Sequence, residues 1–79
     1  MAILIKLSTS LRGYVAGYDP HTGLEVDMPS GLTAGEVLAR IGVPPEKVKI
    51  VMVNGLSTNL DQKVKDGDRI GVFPPVGGG

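Results

Sequence analysis

At 79 residues the chain is one small domain, with a core that is marginal yet large enough to fold without covalent staples. Eight basic and eight acidic side chains cancel, which removes the broad positive field of a nucleic-acid binder, and the absence of cysteine excludes a disulfide framework, a thiolate metal site and a thiol nucleophile. No apolar run approaches the ~20 residues of a membrane-spanning helix and the N-terminus lacks the pattern of a secretory leader, so a cytoplasmic protein is expected, with no nucleic acid and no membrane among its partners.

In chain order, Ile3, Leu4, Ile5 and Leu7 form an apolar, partly β-branched run that predicts a central strand buried on both faces. The pattern weakens between Ser8 and Gly23, where Arg12-Gly13, Gly17 and Asp19-Pro20-His21-Thr22-Gly23 predict an irregular connection closing into a hairpin. Leu24-Glu25-Val26-Asp27-Met28 alternates apolar and acidic residues, the pattern of an outer strand with one wet face, and Pro29-Ser30-Gly31 stops it.

A helix follows. Thr33-Ala34-Gly35-Glu36 is a capping box, Leu32 and Val37 are placed for a hydrophobic staple, and both signals set the start at Thr33. Val37, Leu38 and Ile41 make the buried stripe; Gly42 and then Pro44-Pro45 end the helix after about two turns. A helix that short needs a sheet to pack on.

Glu46-Lys47-Val48 predicts a polar turn and Lys49 to Val53 a third strand. Asn54-Gly55 is a tight-turn dipeptide, Leu56 to Leu60 reads as a short strand or loop, and Lys65-Asp66-Gly67-Asp68 turns into a final strand, Arg69 to Phe73. The expected architecture is α+β: a mixed four- to five-stranded sheet with the first and last strands side by side in the centre and one helix packed across one face. The domain is expected over residues 1–73, with 74–79 as a flexible tail.

That tail carries the functional expectation. Pro74 and Pro75 lack the N–H a sheet requires and lead the chain out in an extended form. Gly77, Gly78 and Gly79 have no side chains, so a narrow channel accepts them, and the Gly79 carboxylate is ionised at neutral pH. A carboxylate is a poor electrophile and must be activated before its acyl group is passed on. Parity puts Ile70 and Val72 on one face of the last strand and Gly71 and Phe73 on the other. With Ile70 and Val72 against the helix, Phe73 lies on the open face beside the tail, where Leu4 and either Ile50 or Val51 extend an apolar docking patch; with the opposite choice Phe73 fills the core and Ile70 packs elsewhere.

Strand, strand, helix, strand, strand, together with Val53-Asn54-Gly55, Asp66-Gly67-Asp68 and Phe73-Pro74-Pro75-Val76 before a terminal diglycine, resembles the β-grasp, ubiquitin-like sulfur carriers. It is most similar to the MoaD type, the small subunit of molybdopterin synthase, with the ThiS type of thiamine biosynthesis as its sibling. The stretch from Ser8 to Gly23 departs from the helical segment expected of that family, and Gly77 stands where a small alanine is common. The resemblance implies a carrier and not an enzyme. A ubiquitin-activating-type adenylating enzyme, itself holding ATP and Mg²⁺, would adenylate Gly79; a sulfurtransferase or other persulfide donor would make the thiocarboxylate; and a molybdopterin synthase large subunit or its equivalent would receive the sulfur. Phe73, Pro74, Pro75, Val76, Gly77 and Gly78 would contact these partners, and this chain itself would bind no cofactor or metal. The same activated Gly79 would serve a thiamine carrier, or a protein modifier joined to a target lysine.

Other chemistry-bearing residues have plainer readings. His21, the lone histidine, sits in a turn without clustered ligands; Asp66-Gly67-Asp68 lacks the ligand spacing of a calcium loop and reads as a turn. Tyr14 and Tyr18 lack the basic surroundings of a base-stacking platform, and Lys63 and Lys65 read as solvated.

Overall fold

The computed structural model describes residues 1–75. Strands β1 (Ala2–Leu7), β2 (Leu24–Asp27), β3 (Ile50–Val53), β4 (Leu56–Thr58) and β5 (Arg69–Phe73) form one sheet in the order β2-β1-β5-β3-β4, and helix α1 (Ala34–Ile41) packs on one of its faces. β1 and β5 are the parallel central pair and the other neighbours are antiparallel, which gives the β-grasp arrangement. Ile3, Ile5, Ile70 and Val72 point into the core against Val37 and Leu38 of α1, all fully buried.

β1 departs from the expected burial on both faces. Ile3, Ile5 and Leu7 are buried, but Leu4 is half-buried and Lys6 exposed. One helix covers one face, so the other face of even a central strand stays open to solvent. The connection from Ser8 to Gly23 also has more order than its sequence suggests: a 3-10 helix over Thr9–Tyr14 drives Leu11 into the core.

The start of α1 is satisfied completely. Glu36 N–H donates to Thr33 Oγ1 at 3.2 Å and Thr33 N–H to Glu36 Oε1 at 2.8 Å, closing the capping box. The remaining two amides, Ala34 and Gly35, donate to the carbonyls of Gln62 and Leu60 at 2.8 and 2.9 Å. Those bonds dock the segment after β4 across the helix end, and glycine at 35 permits it. A Cβ there would lie 3.1 Å from the Leu60 Cβ and 3.2 Å from its carbonyl oxygen. At the other end Gly42 takes the left-handed conformation that terminates the helix.

Between β3 and β4, Asn54 and Gly55 both have positive φ, 53° and 83°, as a type I′ hairpin turn requires. Asn54 then ties this hairpin to β5: its Nδ2 donates to Asp68 Oδ1 at 2.9 Å and its Oδ1 accepts from Arg69 N–H at 3.0 Å.

Candidate functional site

β5 is hydrogen-bonded on both sides, in parallel register with β1 (Ile5 opposite Ile70, Leu7 opposite Val72) and antiparallel with β3 (Met52 opposite Gly71, Ile50 opposite Phe73). Its end is held by two further bonds: Ser8 N–H donates to the Val72 carbonyl at 3.1 Å and Lys49 N–H to the Phe73 carbonyl at 2.9 Å. The ladder stops where proline begins. Pro74 and Pro75, which offer no N–H, leave the sheet from the end of its middle strand.

The parity expected for this strand holds. Ile70 and Val72 are fully buried, whereas Phe73 is 41% exposed on the open face. Its cross-strand neighbour Ile50 is 40% exposed, while Val51 faces the core at 3%, so Ile50 is the residue that extends the patch. The Phe73 ring leans down the strand over Gly71: its Cε2 would lie 3.9 Å from a Cβ at that position. Ser8, Ile50, Phe73, Pro74 and Pro75 line an apolar groove of ≈350 Å³ at the root of the tail. Leu4 shares the open face but stands opposite Arg69, toward the other end of β5. Val76, Gly77, Gly78 and Gly79, the expected channel segment and reacting residue, lie outside the described residues.

A larger cleft, ≈450 Å³, opens at the opposite end of β5, between the β3–β4 hairpin and residues 62–65. It is remote from the tail and its one buried charge, Asp68, is already used by Asn54 Nδ2 and by Lys65 N–H at 2.9 Å each. Asp66 accepts from Ala2 N–H at 2.6 Å. Both carboxylates of Asp66-Gly67-Asp68 therefore serve the turn. His21 is exposed, and its N–H donates to Asp19 Oδ1 at 2.8 Å; that bond, the largest influence on Asp19, holds its carboxyl below the ordinary value of 3.8.

Sequence reasoning missed one support of the site. Beyond the end of its pairing with β2, β1 would leave the Leu7 backbone without partners. Instead Leu7 N–H donates to the Tyr18 hydroxyl at 2.7 Å, and Arg12 Nε donates to the Leu7 carbonyl at 3.0 Å. The Arg12 guanidinium sits 6.0 Å from the Tyr18 ring centroid, over its face. Two side chains thus take the place of a missing strand and fix the backbone next to Ser8, a wall of the tail groove. No local pattern announces this, because the partners lie in an irregular segment and meet only in three dimensions.

The profile of the ThiS family matches residues 13–79. Small archaeal modifier protein 3 of Haloferax volcanii is 36% identical over 69 residues, 87% of this chain, and the chain spans 64% of that relative's length. Among solved structures, SAMP1 from Haloferax volcanii matches with a TM-score of 0.71 at 25% identity over the whole of both chains. A Pyrococcus furiosus protein, provisionally named as subunit 1 of molybdopterin converting factor, matches with a TM-score of 0.69 at 24% identity over 95% of this chain and 98% of its own, a likeness of fold. The pattern of elements, the central strand running into the diglycine sequence and these similarities have one conclusion: the chain belongs to the ThiS family and has a ubiquitin-like β-grasp fold.

Proposed function

We propose that this protein is a sulfur carrier whose Gly79 carboxylate is adenylated and converted to a thiocarboxylate, and that the sulfur is passed on in molybdopterin biosynthesis. The observation that carries the reading is the exit of Pro74-Pro75 from β5, the middle strand of the sheet, beside the exposed pair Phe73 and Ile50. A reacting group meant for the interior of another protein needs a fixed root, a thin stem and a docking surface close to that root, and residues 69–79 supply the sequence for all three.

A Gly79 carboxylate oxygen attacks the α-phosphorus of ATP held with Mg²⁺ by a ubiquitin-activating-type partner, and pyrophosphate leaves. The terminal sulfur of a persulfide then attacks the acyl carbon and expels AMP. A thiol cleaves the resulting acyl disulfide, leaving the thiocarboxylate on Gly79 and a disulfide on the donor. The chain has no cysteine, so both sulfur donor and thiol come from the partners, and a synthase large subunit receives the product.

The likeness to a relative named as a modifier supports a second reading, in which the amine of a target lysine, instead of sulfur, displaces AMP to give an isopeptide. Intact mass after incubation with ATP, the adenylating enzyme and a persulfide donor decides between them. The carrier gains the mass difference of sulfur for oxygen at Gly79; the modifier yields adducts that disappear when Gly79 is deleted. An unchanged mass with no adducts overturns both readings.

A further inference from the structure

The open face of the sheet is not uniformly apolar. Along β5 the side chains on this face are Arg69, Gly71 and Phe73, and the strands on either side place Leu4 and Lys6 on one flank, Met52 and Ile50 on the other. Phe73 marks the tail end of the face. Arg69 marks the other, about 13 Å away by the rise of four strand residues.

We propose that Arg69 matches charge in the docking of this chain: its guanidinium pairs with a carboxylate on the adenylating enzyme and so selects the activating partner. The inference rests on the activation reading above. It concerns that enzyme rather than a later acceptor, because adenylation precedes every fate proposed for Gly79.

Three observations support it. First, Arg69 has a rigid base: its N–H donates to Asn54 Oδ1 at 3.0 Å and its carbonyl accepts from Asn54 N–H at 2.8 Å. Second, no carboxylate among the described residues answers it. Asp68 points to the other face and is 5% exposed with its oxygens engaged, Asp66 is bonded to Ala2 N–H, and Glu25 lies across β1, about 10 Å away at two strand spacings. Among the described residues the single ion pair joins the Met1 amine to Asp27. Third, the other cation of the face is occupied, since Lys6 Nζ donates to the His21 carbonyl at 3.2 Å.

Selection follows from desolvation. Arg69 stands opposite Leu4 and on the same face as Met52 and Phe73, so a partner covering the patch also takes the guanidinium out of water. A planar guanidinium rewards a carboxylate with two parallel bonds, and a partner without one is left with an unpaired buried cation. An aromatic contact near the tail supplies affinity, and an ion pair at the far end supplies register and discrimination.

The test is the initial rate of ATP–pyrophosphate exchange by the adenylating enzyme against carrier concentration. Arg69→Glu is expected to raise the half-saturating concentration about ten-fold or more with a maximal rate little changed. Arg69→Gln should give a smaller rise in the same parameter, and it carries the test should Arg69→Glu lower the urea midpoint. Lys65→Glu, an equal change of charge in the turn before β5, should match wild type. If both Arg69 variants saturate at the wild-type concentration, the inference is overturned and the activation reading stands. Absence of exchange with the wild-type chain overturns both.

Discussion

Thr33 and Glu36 show how much one short sequence pattern fixes. Their reciprocal bonds satisfy two of the four amides at the start of α1, and the Thr33 N–H, first among the influences on Glu36, holds that carboxyl below its ordinary value of 4.5. Folding therefore favours the ionised form. The stabilisation is complete above the unfolded-state value and is lost as the pH falls through the lower native one. Glu36→Gln should remove that component, so the stability of wild type and variant should converge on acidification below 4.5. Urea midpoints measured from neutral pH downward check this; a gap between them that is independent of pH would refute it. Thr33→Ala removes the cap itself and should cost about 1 kcal/mol at neutral pH. Both residues were legible because a capping box is local, four consecutive residues with their hydrogen-bonding roles set by spacing alone.

Elements were legible to the extent that their partners lie close in sequence. The Asn54-Gly55 turn and the alternation in β5 are of this kind, and each takes its expected form. β1 was harder: Ile3-Leu4-Ile5 is apolar without interruption, and the sequence around it does not say that only one layer will cover the sheet. The segment from Ser8 to Gly23 was least legible, because its order comes from Leu11 entering a distant core and from Tyr18 and Arg12 taking the Leu7 backbone. Tyr18→Phe tests that account. It keeps the ring under Arg12 and removes only the acceptor of a part-buried N–H, so a loss of about 1 kcal/mol is expected with an unchanged urea slope. The Leu7 amide should exchange with deuterium faster than its neighbours in β1. Equal protection in variant and wild type would mean that the hydroxyl does not hold the strand end.

For the molecule as a whole, the decisive arrangement is one strand with two tasks. Its inward residues, Ile70 and Val72, are central to the core, and its outward residues form a surface leading to the tail. Adjacent positions should therefore fail in different ways. Val72→Asp places a charge where the side chain is fully buried between sheet and helix without a partner, a cost large enough to unfold a domain of this size. Phe73→Asp leaves the core intact. Its side chain is 41% exposed, so the loss of stability should be on the order of 1–2 kcal/mol and the chain should stay folded. On the proposed docking, adenylation by the activating enzyme should nevertheless fall about ten-fold or more at low carrier concentration, because the proposed aromatic anchor has become a charge. Circular dichroism and pyrophosphate exchange on the two variants separate the tasks. A Phe73→Asp chain that is folded and activated normally would show that docking does not use this face, whereas loss of folding would show that Phe73 belongs to the core despite its exposure.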